Sequence, residues 1–200
     1  MEKIKFKDLE WYVLEINKKK AKLLLADVLD ERHIKKYVDD EWYRNGFEVR
    51  HNFNIKANAN GWENSYIKNV VLENFKKDLG IDCKVTLLTQ SEIFDLDEEI
   101  RCCNEDYWTK TIINNDVYLS FAYVLNHGFS DYSNASRSLG IRPVLYTKTS
   151  NLNLTTEEIE NYIFYIKIQR IKSYFQELQK INAIKEIWFR RRNKNGKNKI

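Results

Sequence analysis

Three histidines and three cysteines are the residues of this 200-residue chain best suited to hold a metal or act as a nucleophile, and their spacing builds neither site. His33, His51 and His127 are scattered with no H-x-x-x-H, and Cys83 lies far from the adjacent pair Cys102 and Cys103, so no C-x-x-C exists. A zinc centre would have to be assembled entirely from distant ligands. No metal or cofactor is expected. Adjacent cysteines in a strand point their side chains in divergent directions, so Cys102 and Cys103 read as structural or incidental thiols. The chain also lacks a phosphate-cradling glycine loop, a G-x-S-x-G elbow and a dinucleotide fingerprint. Asp95, Asp97, Glu98, Glu99, Glu105 and Asp106 form an acidic run that could collect a cation or oppose a basic partner, although such a run on a loop is most often a solvated face. The expected class is therefore non-enzymatic.

Charge is concentrated at one end. From Arg190 the chain reads RRRNKNGKNKI, six positive residues and no acid, while the whole chain is only +4, which leaves the preceding residues at −2. Trp188, Arg190, Arg191, Arg192 and Lys194 are the candidate binding residues, with Phe189, Lys197 and Lys199 beside them. Such a tail can neutralise phosphates and hold nucleic acid, or it can be a solvated terminus that only keeps the protein soluble. The composition, 43% hydrophobic and 14% aromatic, is too apolar for disorder and has no run of the roughly 20 residues that a bilayer crossing needs. An odd cysteine count and a charged N-terminus point to reduced thiols, no signal peptide and a cytoplasmic setting. Residue usage, with one proline and six glycines, resembles that of a bacterial or phage protein.

The elements that must position these residues follow from periodicity. Residues 11–26 predict an antiparallel hairpin, two apolar runs separated by Asn17-Lys18-Lys19-Lys20. Residues 27–61 show no clean period and are expected to be irregular, as are 122–138. Glu63-Asn64-Ser65 offers N-cap chemistry to a helix carrying Ile67, Val70, Val71 and Phe75 on one face and ending at Gly80. Residues 84–89 predict a strand, 91–94 a helical turn, and 107–111 and 117–121 two further strands. A last strand lies around Pro143, which must sit at an edge or near the strand's start. Trp62 and Trp108 are expected core anchors, and Arg142 an arginine buried through its stem and paired with a carboxylate.

Beyond residue 150 the pattern changes. Thr155 and Glu158 match a capping box. Ile159, Ile163, Ile166, Arg170, Tyr174, Leu178, Ile181, Ile184 and Trp188 then mark a largely apolar stripe. A helix from 156 to about 190 would be about 50 Å long, too long for one small domain to cover. Three outcomes stay open: pairing with a second copy, a break at Asn182 that folds the helix back, or a different partner.

Five segments occur in the order of an uncharacterised bacterial domain family: Trp11-Tyr12-Val13-Leu14-Glu15, Leu23-Leu24-Leu25, Trp62-Glu63-Asn64-Ser65-Tyr66-Ile67-Lys68, Lys84-Val85-Thr86-Leu87-Leu88-Thr89-Gln90-Ser91-Glu92 and Gly140-Ile141-Arg142-Pro143-Val144-Leu145. Over about residues 3–148 the chain resembles that family. The family in turn resembles the C-type-lectin-like and formylglycine-generating-enzyme-like group. The family's W-x-x-R-S element stands here as Tyr107-Trp108-Thr109-Lys110-Thr111, without its arginine. The calcium-dependent sugar motifs of lectins are absent. The resemblance implies an α+β fold, a C-type-lectin-like mixed sheet with helices, and no activity. The domains expected are 1–150 (lectin-like), 151–192 (helical extension) and 193–200 (basic disordered tail). The function expected is a protein-interaction module that binds through loops 27–61 and 122–138, with the C-terminal helix serving oligomerisation or docking. The alternative is a nucleic-acid binder using the basic C-terminus.

Overall fold

The computed structural model describes residues 3–37, 62–63, 65–115, 118–133 and 139–197, the side chains of 113–115, 118–120 and 188–197 excepted. Contacts divide the chain into two units, Met1–Leu154 and Thr155–Ile200.

The first unit is mixed α+β, as the sequence predicts. Its opening hairpin pairs β1 (Lys3–Phe6) with β2 (Leu9–Ile16) through Lys7 and Asp8, both at positive φ. Two residues in that conformation give the hairpin a turn whose twist matches its strands. The predicted hairpin follows, β2 with β3 (Lys20–Leu25). Asn17 closes it, its Oδ1 accepting from the amides of Lys19 at 2.8 Å and Lys20 at 3.0 Å. Residues 27–61 are less irregular than expected: α1 (Glu31–Tyr37) starts where Asp30 Oδ1 accepts from the His33 amide at 2.9 Å. Only Ile34 and Tyr37 of α1 are buried, too few to produce a period in the sequence. Most of the rest of that stretch lies outside the described residues.

The predicted helix after Trp62 starts with Ser65, whose Oγ accepts from the Lys68 amide at 3.1 Å. Ile67–Leu72 is a π-helical segment, continued by α2 (Glu73–Leu79). Within it Ile67, Val71 and Leu72 are buried, while Val70, expected on the apolar face, is only partly so. Gly80, at φ 63°, caps the end as expected. β4 (Cys83–Thr86) is shorter than predicted, because Leu87 and Leu88 leave the ladder and Thr89 caps α3 (Gln90–Phe94). The acidic run contains α4 (Glu98–Arg101), anchored by the fully buried Ile100. β5 (Tyr107–Asn115) and β6 (Tyr118–Val124) pair antiparallel. β7 (Ser130–Ser133) joins β6 within the stretch expected to be irregular, and its polar residues give no strand signal. β8 (Val144–Lys148) begins directly after Pro143. A 3-10 turn, Thr149–Leu152, ends the unit.

The strands form two antiparallel sheets, β1-β2-β3-β8-β4 and β5-β6-β7. Trp11, Tyr12, Val13 and Leu14 are all buried because both faces of the larger sheet are covered along this part of β2. On one face Trp11 stacks on Phe75 of α2 with ring centroids 6.2 Å apart. On the other, Tyr12, Leu14, Leu24 and Val144 pack with Ile93, Ile100, Tyr107 and Val124 of the helices and the second sheet. Each fully buried Leu or Phe contributes about 1.5–3 kcal/mol. Trp108 is the expected anchor, 1% exposed, with Phe121 and Tyr123 meeting it edge-on at 6.1 and 6.0 Å.

Glu92 ties α3 to the larger sheet. Its Oε2 accepts from the Thr89 amide at 2.8 Å, and its Oε1 receives Lys22 Nζ at 3.0 Å. Burial pushes this carboxyl up, but the Thr89 and Lys22 hydrogen bonds outweigh burial and hold it down to about 2, from an ordinary 4.5. A depressed carboxylate contributes stability above its unfolded value, and that contribution is lost as the pH falls through the folded one. Glu92→Gln should therefore lower stability at neutral pH by about 1 kcal/mol, the scale of a lost cap. The variant should also flatten the fall in urea midpoint between pH 4.5 and about 2. Urea titrations across that range check it, and an unchanged slope contradicts it.

The second unit is one helix, α5 (Thr156–Lys197), about 60 Å of rod. The predicted capping box is present: the Thr155 amide donates to Glu158 Oε2 at 2.7 Å, and the Glu158 amide to Thr155 Oγ1 at 3.2 Å. The helix runs unbroken through Asn182, and its backbone is helical to Lys197, within the stretch for which a disordered tail is expected.

Candidate functional site

On α5 the large apolar residues Phe164, Ile171, Tyr174, Phe175, Ile181, Ile184 and Ile187 are between 43 and 66% exposed. Their spacing is regular. Phe164, Ile171 and Leu178 recur at seven-residue steps, and Tyr174, Ile181 and Trp188 at seven-residue steps offset by three, the pattern of a coiled-coil seam. On a helix turning about 100° per residue, Phe164, Ile171, Tyr174, Phe175, Leu178 and Ile181 fall within about a third of its circumference. Phe164, Ile171 and Phe175 are absent from the sequence-derived stripe, which follows a looser three-and-four step and takes in Arg170. The strict heptad finds Phe164 and Ile171, and Phe175, four residues after Ile171, lies beside that seam. The candidate residues Arg190, Arg191, Arg192 and Lys194 lie with Trp188 in the last turns of α5, and their side chains lie outside the described residues.

Within the first unit, Arg142 is the most constrained polar residue. It is 1% exposed, and its guanidinium meets carbonyls where the sequence predicts a carboxylate. Nε donates to Leu25 O at 2.8 Å, Nη2 to Ala26 O at 3.0 Å, and Nη1 to Ile100 O at 2.7 Å and to the Tyr107 hydroxyl at 3.2 Å. The Tyr107 and Tyr12 rings lie 5.1 and 5.9 Å from the guanidinium carbon. A planar fork with five donors suits carbonyls converging from several directions, and the ring faces favour the cation they enclose. Arg142 thus joins the ends of β3 and α4 to the start of β5. The arrangement is structural.

The groups able to do chemistry come together only in part. A cleft of about 430 Å³ is lined by Asp27, Asp30, His33, Cys102 and Cys103. His33 Nδ1 lies 2.7 Å from Asp30 Oδ1. The His33 amide is the main cause that holds the Asp30 carboxyl down to about 2. Burial pushes the Cys103 thiol up to about 11, so it is protonated at neutral pH and no thiolate nucleophile is available from it. All three cysteines are free. His127 pairs with Asn126 and Phe129 and is not part of that cleft's lining, and His51 lies outside the described residues. Among the described residues no group of three or more His, Cys, Asp or Glu could hold a metal ion, and no helix is long and apolar enough to cross a membrane. No known family model, curated protein or solved structure matches the chain.

Proposed function

We propose that the chain is a non-enzymatic interaction protein whose contact element is α5 and whose partner along that helix is a second copy. The observation that carries this reading is the exposed heptad seam. A lone helix presenting Phe164, Ile171, Tyr174, Phe175 and Ile181 to water forgoes the burial that favours folding, and a matching seam recovers it. Charge favours self-pairing in the antiparallel sense. The opening turns carry Glu157, Glu158 and Glu160, and the sequence closes with the basic residues from Arg190 onward, so opposed copies bring unlike ends together.

The α+β unit supplies the recognition surface in this reading, in keeping with its lectin-like resemblance, and three free thiols support a reducing, cytoplasmic setting. The alternative, nucleic acid on the basic end of α5, is favoured by the helical backbone there, which sets Arg190, Lys194 and Lys197 at i, i+4 and i+7.

Sedimentation equilibrium on the intact chain should give a dimer. Ile171→Asp combined with Ile181→Asp should give a monomer with unchanged thermal unfolding of the α+β unit. A wild-type monomer throughout the micromolar range overturns the reading.

A further inference from the structure

The larger sheet has one face that is core at one end and open at the other. Register places Lys22, Tyr146 and Lys84 side by side across β3, β8 and β4, and Lys20 directly opposite Lys148 in the next row. Above them the same face continues into buried Leu24, Val144 and Thr86. Here it forms a cleft of about 510 Å³ whose lining includes all four lysines and Tyr146.

Two features of these rows leave positive charge unanswered. Like charges directly opposite on neighbouring strands are destabilising, yet Lys20 faces Lys148. Among the described residues, moreover, neither Lys20 nor Lys84 has a carboxylate within ion-pair distance, whereas Lys22 is answered by Glu92 at 3.0 Å and Lys148 by Asp82 at 3.2 Å. The lysines are also held in place. The Tyr146 ring has Lys22 Nζ at 5.5 Å and Lys84 Nζ at 5.8 Å from its centroid, so cation–π attraction orients two ammonium groups toward one point. The positions are set by the sheet, not by a loop.

We propose that this cleft binds a small phosphate ester that carries sugar hydroxyls, a sugar phosphate or a nucleotide. Its phosphate would sit among Lys20, Lys84 and Lys148, relieving their mutual repulsion. Glu15, exposed on the cleft's rim and without a hydrogen-bond or ion-pair partner among the described residues, accepts from the hydroxyls. The volume falls within the roughly 300–1,000 Å³ of small-molecule sites. Among the described residues Tyr146 is the one aromatic in the cleft's lining, and its ring already has two ammonium groups beside it, which argues against the successive stacking platforms of a single-stranded nucleic-acid site. The site belongs to the first unit and does not depend on α5.

Calorimetric titration of the full chain with ribose 5-phosphate, ATP, inorganic phosphate and a 12-residue single-stranded oligonucleotide tests this. An ester should bind more tightly than inorganic phosphate. Lys20→Gln with Lys84→Gln should weaken it at least tenfold; both side chains are exposed, so the fold is not at stake. Glu15→Gln should erase the preference for the ester over inorganic phosphate, and deletion of residues 190–200 should change nothing. The proposal is overturned if no ester binds at millimolar concentration, if the double variant binds as wild type, if the deletion abolishes binding, or if only the oligonucleotide binds.

Discussion

Arg142→Met should destabilise the α+β unit by about 3–5 kcal/mol, because buried acceptors left without donors each cost about 1–3 kcal/mol. The methionine fills the volume of the arginine stem but donates nothing to the carbonyls of Leu25, Ala26 and Ile100 or to the Tyr107 hydroxyl. A domain of this size has roughly 5–15 kcal/mol of stability in total, so the variant should be near its limit. Arg142→Lys should recover only part, since an ammonium keeps the charge but lacks the planar fork that reaches acceptors on several segments at once. Urea denaturation followed by tryptophan fluorescence measures both. A methionine variant within 1 kcal/mol of wild type would show that the carbonyls find other donors and that Arg142 is not what joins β3, α4 and β5.

The second large effect belongs to Gly140. A Cβ there would lie closer to Val28 Cγ1 than real contacts allow, and 3.0 Å from the Asp106 carbonyl oxygen, tighter than most. The backbone cannot retreat easily: the Gly140 amide donates to Asp106 O at 2.7 Å, and Gly140 O accepts from the Trp108 amide at 3.0 Å. Gly140→Ala should cost about 2–3 kcal/mol by overpacking. Combining it with Val28→Ala removes the nearer obstacle and should make the pair cost less than the sum of the single changes. Strict additivity in thermal unfolding of the four proteins would refute this account.

Local chemistry was legible in the sequence. The Asn17 turn, the Gly80 cap, the Thr155–Glu158 capping box and the long helix each depend on residues a few positions apart, and all formed where the pattern put them. What was hidden depends on distance along the chain. The cleft around Tyr146 exists because β8 is inserted between β3 and β4, and no local period reveals that Lys148 will face Lys20. The partners of Arg142 are hidden for a similar reason. A buried arginine invites a carboxylate, and only the fold brings strand-end and helix-end carbonyls to one point instead. α1 and β7 leave no signal in the sequence because each buries too little to stamp a period on its residues. The heptad on α5 was present in the sequence, yet its exposure is a property of the folded chain.

The strand order also bears on how the unit is made. β1, β2 and β3 can zip together as they emerge, but among the described residues β4 pairs with β8 alone, which is translated some sixty residues later. Until Val144–Lys148 leaves the ribosome, β3 carries an unsatisfied edge and β4 waits alone. Closure of the sheet is thus a late, long-range event of the kind that slows folding and leaves a nascent chain open to aberrant strand pairing.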